Sequence, residues 1–515
     1  MNFASIIEKT CKTFPDKICV VQDGTRLTFR QMEERANRLA KALVEMGVQP
    51  GDRVAVFQTN CFQFCEMTYA IGKVGGISAN LNFRLRAEEV SFILNNCEPT
   101  VLILGDRYAN LVSSIRANLS SIKHYVVIGK TPEDMKDYEY LISEQTPVHF
   151  PCLPVKENDT ACLIYTSGTT GLPKGAMLTH SNVVTPITDR YTFAAGTLLL
   201  NVPMYHIAGV ISTLLPLYRG DTQIILSQFE TGAFLDIVEK EKVATTYLVP
   251  TMLQGILDHP DFSKKDLSSL RNIGYGASPM PVKLLMQAKE KLLANYTNFF
   301  GMTESTGIIS VLSPEDHLLE GSREEITKKT RHLASIGHCI PEGEVRIVDD
   351  HDQDVPIGTV GEIIVRGKKV MRGYWNNAEA TEEALRGGWL HTGDLARMDE
   401  DGYLYLAGRK KDMIIRGGEN IYPVEIENVL HKNPKIEEAA VIGVPDAYWG
   451  EIVKAVVVLR KGEKATEEEI IEYCRESLAS YKKPTIVEFR KALPKNAMQK
   501  VLKTVLRNES TGDQI

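Results

Sequence analysis

The chain has 515 residues, 43% of them hydrophobic and 24% charged, with a net charge of -7. That length exceeds what one core can serve, so roughly three or four domains or subdomains are expected. The mild acidity gives no footprint for a nucleic-acid partner, and the nine scattered cysteines, an odd set without a second pair to complete a zinc site beside Cys61 and Cys65, read as reduced thiols in a cytoplasmic protein.

The first residues, Met-Asn-Phe-Ala-Ser-Ile-Ile-Glu, lack a basic region followed by an apolar one, so no signal peptide is expected. Thr28 and Gln31 have capping-box spacing, and Phe29, Met32, Ala36, Leu39, Ala40 and Leu43 then fall on one helical face. Gly47 and the Pro50-Gly51 turn end that helix. Arg53–Phe57 reads as a buried strand and Phe62–Lys73 as a second helix, with further strands at 100–104 and 124–128. The alternation argues for a mostly parallel α/β sheet over residues 1–150, and residues 160–330 repeat that character. Between about 335 and 408 the segments shorten and charged Gly turns multiply, which reads as a small β-rich subdomain. Gly408-Arg-Lys-Lys-Asp412 is the candidate linker, and the roughly 100 residues beyond it suffice for a small α+β domain. The tail 508–515 is expected to fray. No apolar run reaches membrane-spanning length, which leaves peripheral membrane contact open.

The richest stretch is Tyr165-Thr-Ser-Gly-Thr-Thr-Gly-Leu-Pro-Lys-Gly175, which follows the β-prone Ala161-Cys-Leu-Ile. Its glycines let backbone N–H groups turn inward, its hydroxyls add donors and Lys174 adds a point charge, which together make a phosphate cradle. It is not a Walker loop, because Gly175 follows the lysine where that pattern needs Ser or Thr. The eleven-residue string resembles the signature of the adenylate-forming superfamily: acyl-CoA synthetases, peptide-synthetase adenylation domains and firefly-type luciferases. The resemblance spans nearly the whole chain, with the motifs in family order, and is most like an acyl-CoA synthetase. It implies a large N-terminal domain, residues 1–409, of two α/β subdomains and a β-rich subdomain, and a small mobile C-terminal domain, residues 410–515.

Carried over residue by residue, the resemblance gives each chemical need an answer. Activating a carboxylate as a mixed anhydride requires ATP's phosphates, Mg²⁺, ribose and adenine to be held while charge is neutralised at the α-phosphorus. The phosphates fall to Thr166, Ser167, Gly168, Thr169, Thr170, Gly171 and Lys174. Phe299-Phe-Gly-Met-Thr-Glu304 resembles the aromatic-Gly-x-Thr-Glu motif. Phe299, Phe300, Gly301 and Met302 would then lie at the nucleotide, Thr303 would bond the α-phosphate, and Glu304 with Thr166 would hold Mg²⁺, a hard cation suited to carboxylate oxygen. Phe300 stands where the family usually has Tyr. Asp394, in Trp389-Leu-His-Thr-Gly-Asp394, and Arg409 resemble the ribose-binding pair; read without the resemblance they are a turn and a surface ion pair.

Gly274-Tyr-Gly-Ala-Ser-Pro279 resembles the loop lining both the adenine and acyl pockets, so Gly276, Ala277 and Ser278 are assigned to the nucleotide and Gly274, Tyr275 and Gly276 to the acyl group. His206, in Pro203-Met-Tyr-His206, would stand at the acyl entrance. Lys500 aligns with the catalytic lysine, although Gln499 replaces the usual glycine before it. Lys411 occupies the hinge position, and Arg416, Gly417, Gly418 and Glu419 form the loop past which CoA's pantetheine arm would run; those two glycines also read as a plain hairpin turn.

The reaction implied is ATP-dependent formation of acyl-AMP and pyrophosphate, then transfer to CoA. The substrate leans to a medium- or long-chain fatty acid, with an aryl or alicyclic acid next. A free-standing enzyme loading a carrier protein, an adenylate-only ligase, a luciferase-like oxygenase and a non-catalytic binding protein are the rivals. The absence of a fused carrier domain, the lack of an insertion before Gly408 and the retention of Glu304, Asp394 and Lys500 weigh against three of them. Oligomeric state, a homodimer included, is open from sequence alone.

Overall fold

The computed structural model describes residues 2–146, 148–167, 172–188, 195–340, 343–495 and 501–511. The expected capping box forms: Gln31 N–H donates to Thr28 Oγ1 at 3.2 Å, and Thr28 N–H donates to Gln31 Oε1 at 2.9 Å. The helix it starts, Phe29–Glu45, buries Phe29, Met32, Ala36, Leu39, Ala40 and Leu43 completely. Each of the larger side chains in that stripe contributes about 1.5–3 kcal/mol by leaving water, so Leu39→Ala would cost ~2–5 kcal/mol. The helix Phe62–Lys73 packs beside it, and both lie against the parallel strands, which include Arg53–Phe57 and Val101–Gly105.

One large sheet has eight strands in the order Gly373–Tyr374, Pro173–Thr179, Thr160–Ser167, Ile77–Asn80, Arg53–Phe57, Val101–Gly105, His124–Ile128 and Lys136–Asp137. It is parallel from Thr160–Ser167 onward. A second sheet has nine strands, running His338–Cys339, Gly307–Leu312, Asn295–Met302, Asn272–Gly276, Thr245–Leu248, Leu198–Leu200, Gln223–Ile225, Ile18–Gln22 and Thr25–Thr28. It is parallel from Asn295–Met302 to Ile18–Gln22. The two expected α/β units are therefore real but interleaved. Ile18–Gln22 leaves the N-terminal segment to pair with Gln223–Ile225, while Thr160–Ser167 joins the sheet of residues 53–137.

The β-rich stretch closes as a four-stranded antiparallel sheet of Gly343–Val348, Gly361–Gly367, Leu390–Met398 and Leu404–Arg409. The C-terminal segment builds its own five-stranded sheet around the long hairpin Ile436–Asp446 and Gly450–Leu459, with helices Pro423–Leu430, Glu467–Ser477 and Lys503–Thr511. Its two buried clusters draw only on residues from Ile414 to Leu506, whereas among the described residues no other cluster reaches beyond Leu406. The expected fraying of the tail is corrected for 508–511, which continue that last helix, anchored by buried Leu506 and by Lys454 Nζ donating to Ser510 Oγ at 2.9 Å. All nine cysteines are free thiols, most of them buried. Among the described residues no helix is long and apolar enough to cross a membrane.

Candidate active site

The Ser/Thr/Gly stretch joins two antiparallel strands, Thr160–Ser167 and Pro173–Thr179, with Thr166 directly opposite Lys174. Gly168, Thr169, Thr170 and Gly171, between those strands, lie outside the described residues, as do Gln499 and Lys500. Thr166 Oγ1 donates to Glu304 Oε1 at 3.2 Å, across 138 residues of sequence. The same Glu304 oxygen accepts from Tyr374 Oη at 2.9 Å, and the Lys174 ammonium lies 5.5 Å from the Tyr374 ring centre. Tyr374 arrives on the short strand Gly373–Tyr374, which pairs with Met177 and Ala176 beside the loop. Burial first, and then the neighbouring Glu304 carboxylate, push the Tyr374 hydroxyl far above the ordinary phenol range, so at neutral pH it is a donor.

Glu304 is held from behind. Strand Asn295–Met302 ends in Phe299-Phe300-Gly301-Met302 and turns at Thr303–Ser305. A Cβ at Gly301 would sit 1.4 Å from the Gly307 carbonyl oxygen, so only glycine lets the returning strand close this tightly. Ser305 Oγ accepts from Met302 N–H, Thr306 Oγ1 donates to the Lys369 carbonyl at 2.6 Å, and Met371 N–H donates to the Glu304 carbonyl at 2.8 Å. Thr303 and Glu304 are consequently buried, while Phe300 is half-buried.

Strand Asn272–Gly276 pairs Gly276 with Phe299. A Cβ at Gly276 would meet the Phe299 carbonyl oxygen at 2.2 Å and Tyr247 Oη at 2.6 Å. Tyr247 and Phe299 lie with ring centres 6.4 Å apart and planes inclined by 29°. Gly274 is buried within the strand, and Ala277, exposed, takes the left-handed conformation at φ 65°, so the chain turns sharply toward half-buried Ser278. Tyr275 goes the other way: its ring is fully buried in the core and its hydroxyl lies 2.9 Å from His317 Nε2. His206 caps helix Ile207–Arg219, its Nδ1 accepting from Ala208 N–H at 3.3 Å.

Asp394 and Arg409 face each other across strands Leu390–Met398 and Leu404–Arg409. Arg409 Nε stands 2.7 Å from Asp394 Oδ1, and Asp394 is 7% exposed. Beyond the strand, Lys411 sits in the turn Lys410–Asp412, where Asp412 pairs with Arg507 of the last helix at 2.7 Å. Arg416, Gly417, Gly418 and Glu419 form a hairpin whose two glycines have φ 58° and 87°, the mirror-image turn favoured by twisted strands. Its contacts lie within the C-terminal domain: Arg416 Nη1 donates to the Tyr481 carbonyl and the guanidinium lies 5.3 Å from the Trp449 ring.

The structure thus gathers Thr166, Lys174 and Glu304 into one group, Asp394 and Arg409 into a second, and Gly276 with Phe299 into a third. Sequence reasoning missed Tyr374 and Tyr247. Each sits on a short strand whose partner is fixed by long-range pairing, which no local pattern marks.

Comparison with known proteins shows the family and the fold. The model of the AMP-binding enzyme family matches residues 7–375, and that of the AMP-binding enzyme C-terminal domain matches 425–500. The chain is 39% identical to a feruloyl-CoA synthase of an Amycolatopsis species, with 96% of each chain covered. It is 35% identical to the long-chain-fatty-acid–CoA ligase FadD13 of Mycobacterium tuberculosis, covering 99% of this chain and 98% of the relative. Among solved structures it resembles the anthranilate CoA ligase AuaEII in complex with anthranoyl-AMP, at a TM-score of 0.90 and 29% identity, over 99% of this chain and 97% of that one.

Proposed function

Because this chain belongs to the AMP-binding enzyme family, as an acid–thiol ligase of the AMP-forming acyl-CoA synthetase kind, we propose that it activates an aromatic carboxylic acid with ATP and passes the acyl group to CoA. The substrate's carboxylate oxygen attacks the α-phosphorus, and pyrophosphate leaves with the bonding electron pair. The CoA sulfur then attacks the acyl carbon, AMP leaves with its C–O pair, and the thiol proton passes to solvent.

The chain's residues divide the work. Thr166 and Lys174, with the loop between their strands, take the phosphates. Thr303 bonds the α-phosphate, Phe300 lies against adenine, and Asp394 with Arg409 takes the ribose. Thr166 Oγ1 and Tyr374 Oη converge on one Glu304 oxygen, a set of hard oxygen donors that fits Mg²⁺. Thr166 and Glu304 would hold that ion, which supplies positive charge to the phosphate oxygens. Lys500 neutralises charge between the carboxylate and the α-phosphate. The domain boundary falls between Arg409 and Lys410, and rotation at Lys411 brings the Arg416–Glu419 hairpin to the site for the thiol step; the separate buried clusters on either side of it support such rotation.

One observation carries the aromatic reading: Tyr247 and Phe299 make a near-parallel pair packed against Gly276, whose missing side chain lets the Phe299 carbonyl and Tyr247 Oη close on the strand. Flat apolar walls suit a planar ring. Similarity to the feruloyl-CoA synthase and to the anthranilate ligase supports the same class. A medium- or long-chain fatty acid is the second reading, favoured by the similarity to FadD13. Pyrophosphate release measured across cinnamic, benzoic, arylacetic, fatty and amino acids, each with and without CoA, separates them. CoA-dependent turnover confined to ring-bearing acids is expected; turnover confined to fatty acids refutes the aromatic assignment, and pyrophosphate without thioester refutes CoA as acceptor.

A further inference from the structure

Glu362 lies in strand Gly361–Gly367 and is 4% exposed, a carboxylate buried where an uncompensated charge would be costly. Its partners account for it. Oε1 accepts from Gly393 N–H at 3.0 Å. Oε2 lies 3.3 Å from Lys410 Nζ, with Arg386 Nη2 at 3.8 Å and His391 Nδ1 at 3.6 Å. Lys410 is shared with Asp350 at the surface, at 2.7 Å.

Gly393 immediately precedes Asp394 and Lys410 immediately follows Arg409, so Glu362 grips both members of the Asp394–Arg409 pair from behind, through their neighbours. Gly393 has φ 68°, a left-handed turn that aims the next side chain. The rest of that turn hangs from the same strand: Thr392 Oγ1 donates to the Ile363 carbonyl at 2.7 Å and accepts from Asp394 N–H at 3.0 Å. We propose that Glu362 is a positioning residue for the nucleotide: with Lys410 and the Gly393 amide it fixes the Asp394 carboxylate and the Arg409 guanidinium in the geometry that reads the ribose hydroxyls. The proposal rests on the assignment of Asp394 to ribose.

The readout is the preference for ATP over 2′-deoxy-ATP in acid-dependent pyrophosphate release, a ratio that general loss of stability leaves untouched. In Glu362→Ala the ATP KM rises about tenfold, the loss expected for a hydrogen bond to a charged group, the preference falls toward unity, and the acid's KM stays within about twofold. In Glu362→Gln the amide oxygen still accepts from Gly393, and most of the preference returns. Lys410→Met changes a partly exposed residue and folds regardless; it is expected to cut the preference by about threefold, so it carries the test if the alanine variant does not fold. Asp394→Asn sets the limit. If it abolishes the preference while Glu362→Ala, or Lys410→Met in its place, keeps it, positioning by Glu362 is overturned. If Asp394→Asn itself keeps the preference, the ribose assignment is what fails, and the proposal falls with it.

Discussion

Tyr374→Phe is the smallest change that tests the Glu304 group. It deletes one oxygen and leaves the ring, so the Lys174 ammonium 5.5 Å from the ring centre keeps its aromatic partner. The Tyr374 N–H bond to Thr381 Oγ1, 2.9 Å, also survives. What goes is the 2.9 Å donation to Glu304 Oε1, which among the described residues then keeps only the longer side-chain bond from Thr166 at 3.2 Å. A hydrogen bond to a charged acceptor contributes about 1.5–3 kcal/mol, and partial replacement by water puts the loss near the lower end, a fall of about tenfold in kcat/KM for ATP. The assay is initial-rate pyrophosphate release at varied ATP and saturating acid, for the wild type, Tyr374→Phe, Thr166→Val and the double variant. Because both hydroxyls act on one carboxylate oxygen, the double variant should deviate from additivity by about 0.5 kcal/mol or more. Strict additivity, or a kcat/KM for ATP within about twofold of wild type in Tyr374→Phe, would refute the claim that Tyr374 orients Glu304.

Gly276→Ala forces a Cβ to within 2.2 Å of the Phe299 carbonyl and 2.6 Å of Tyr247 Oη; a loss of about 1–3 kcal/mol in unfolding free energy is expected, with the acid's KM raised more than that of ATP, and an unmoved acid KM would count against the pocket assignment. Lys500→Ala should lower adenylation by orders of magnitude yet spare thioester formation from supplied acyl-AMP, and equal loss in both half-reactions would remove its assigned role. Lys411→Pro should slow the thiol step more than adenylation, by about tenfold or more, as stopped-flow comparison of the two would show; unchanged overall turnover sinks the hinge. Burial above all holds the His317 imidazole at about 4, below its ordinary value, so the native state keeps it neutral. Its contribution is complete above about pH 6.5 and declines as the unfolded chain takes up the proton, by ~2 kcal/mol at pH 5, so urea midpoints at pH 7 and 5 should draw closer in His317→Gln.

Local patterns carried the sequence reading far. The Thr28–Gln31 box, the stripe from Phe29 to Leu43 and the bounds of Arg53–Phe57 and Phe62–Lys73 needed no tertiary information, because each depends on residues within a few positions. The site motifs were legible as strings, and folding brings Thr166 to Glu304 and Asp394 to Arg409 as separate strings cannot show. Tyr374 was illegible because its neighbour is chosen by the pairing of Gly373 with Met177, nearly 200 residues earlier. Glu362 was hidden for the same reason: its role depends on Gly393 and Lys410, which reach it only once the four-stranded sheet has closed. The interleaving of the two large sheets had no local signal, since a strand's sequence states that it will pair and not with which partner. Residues 508–511 read as polar tail because the last helix is held by Leu506 and Lys454, contacts that composition does not show.

The place of Ile18–Gln22 in the nine-stranded sheet bears on how this chain leaves the ribosome. The strand is made well before its parallel neighbour, Gln223–Ile225, and Thr10 Oγ1 donates to the carbonyl of Tyr218. At about 5–20 residues per second, the roughly 200 residues between them take ~10–40 s to synthesise. Throughout that interval the buried Val20 and Val21 have one edge without its partner, while the eight-stranded sheet can already begin to assemble from the residues between them. The nascent chain must therefore hold its first hairpin in waiting, a window in which chaperone binding or mispairing competes with the native strand.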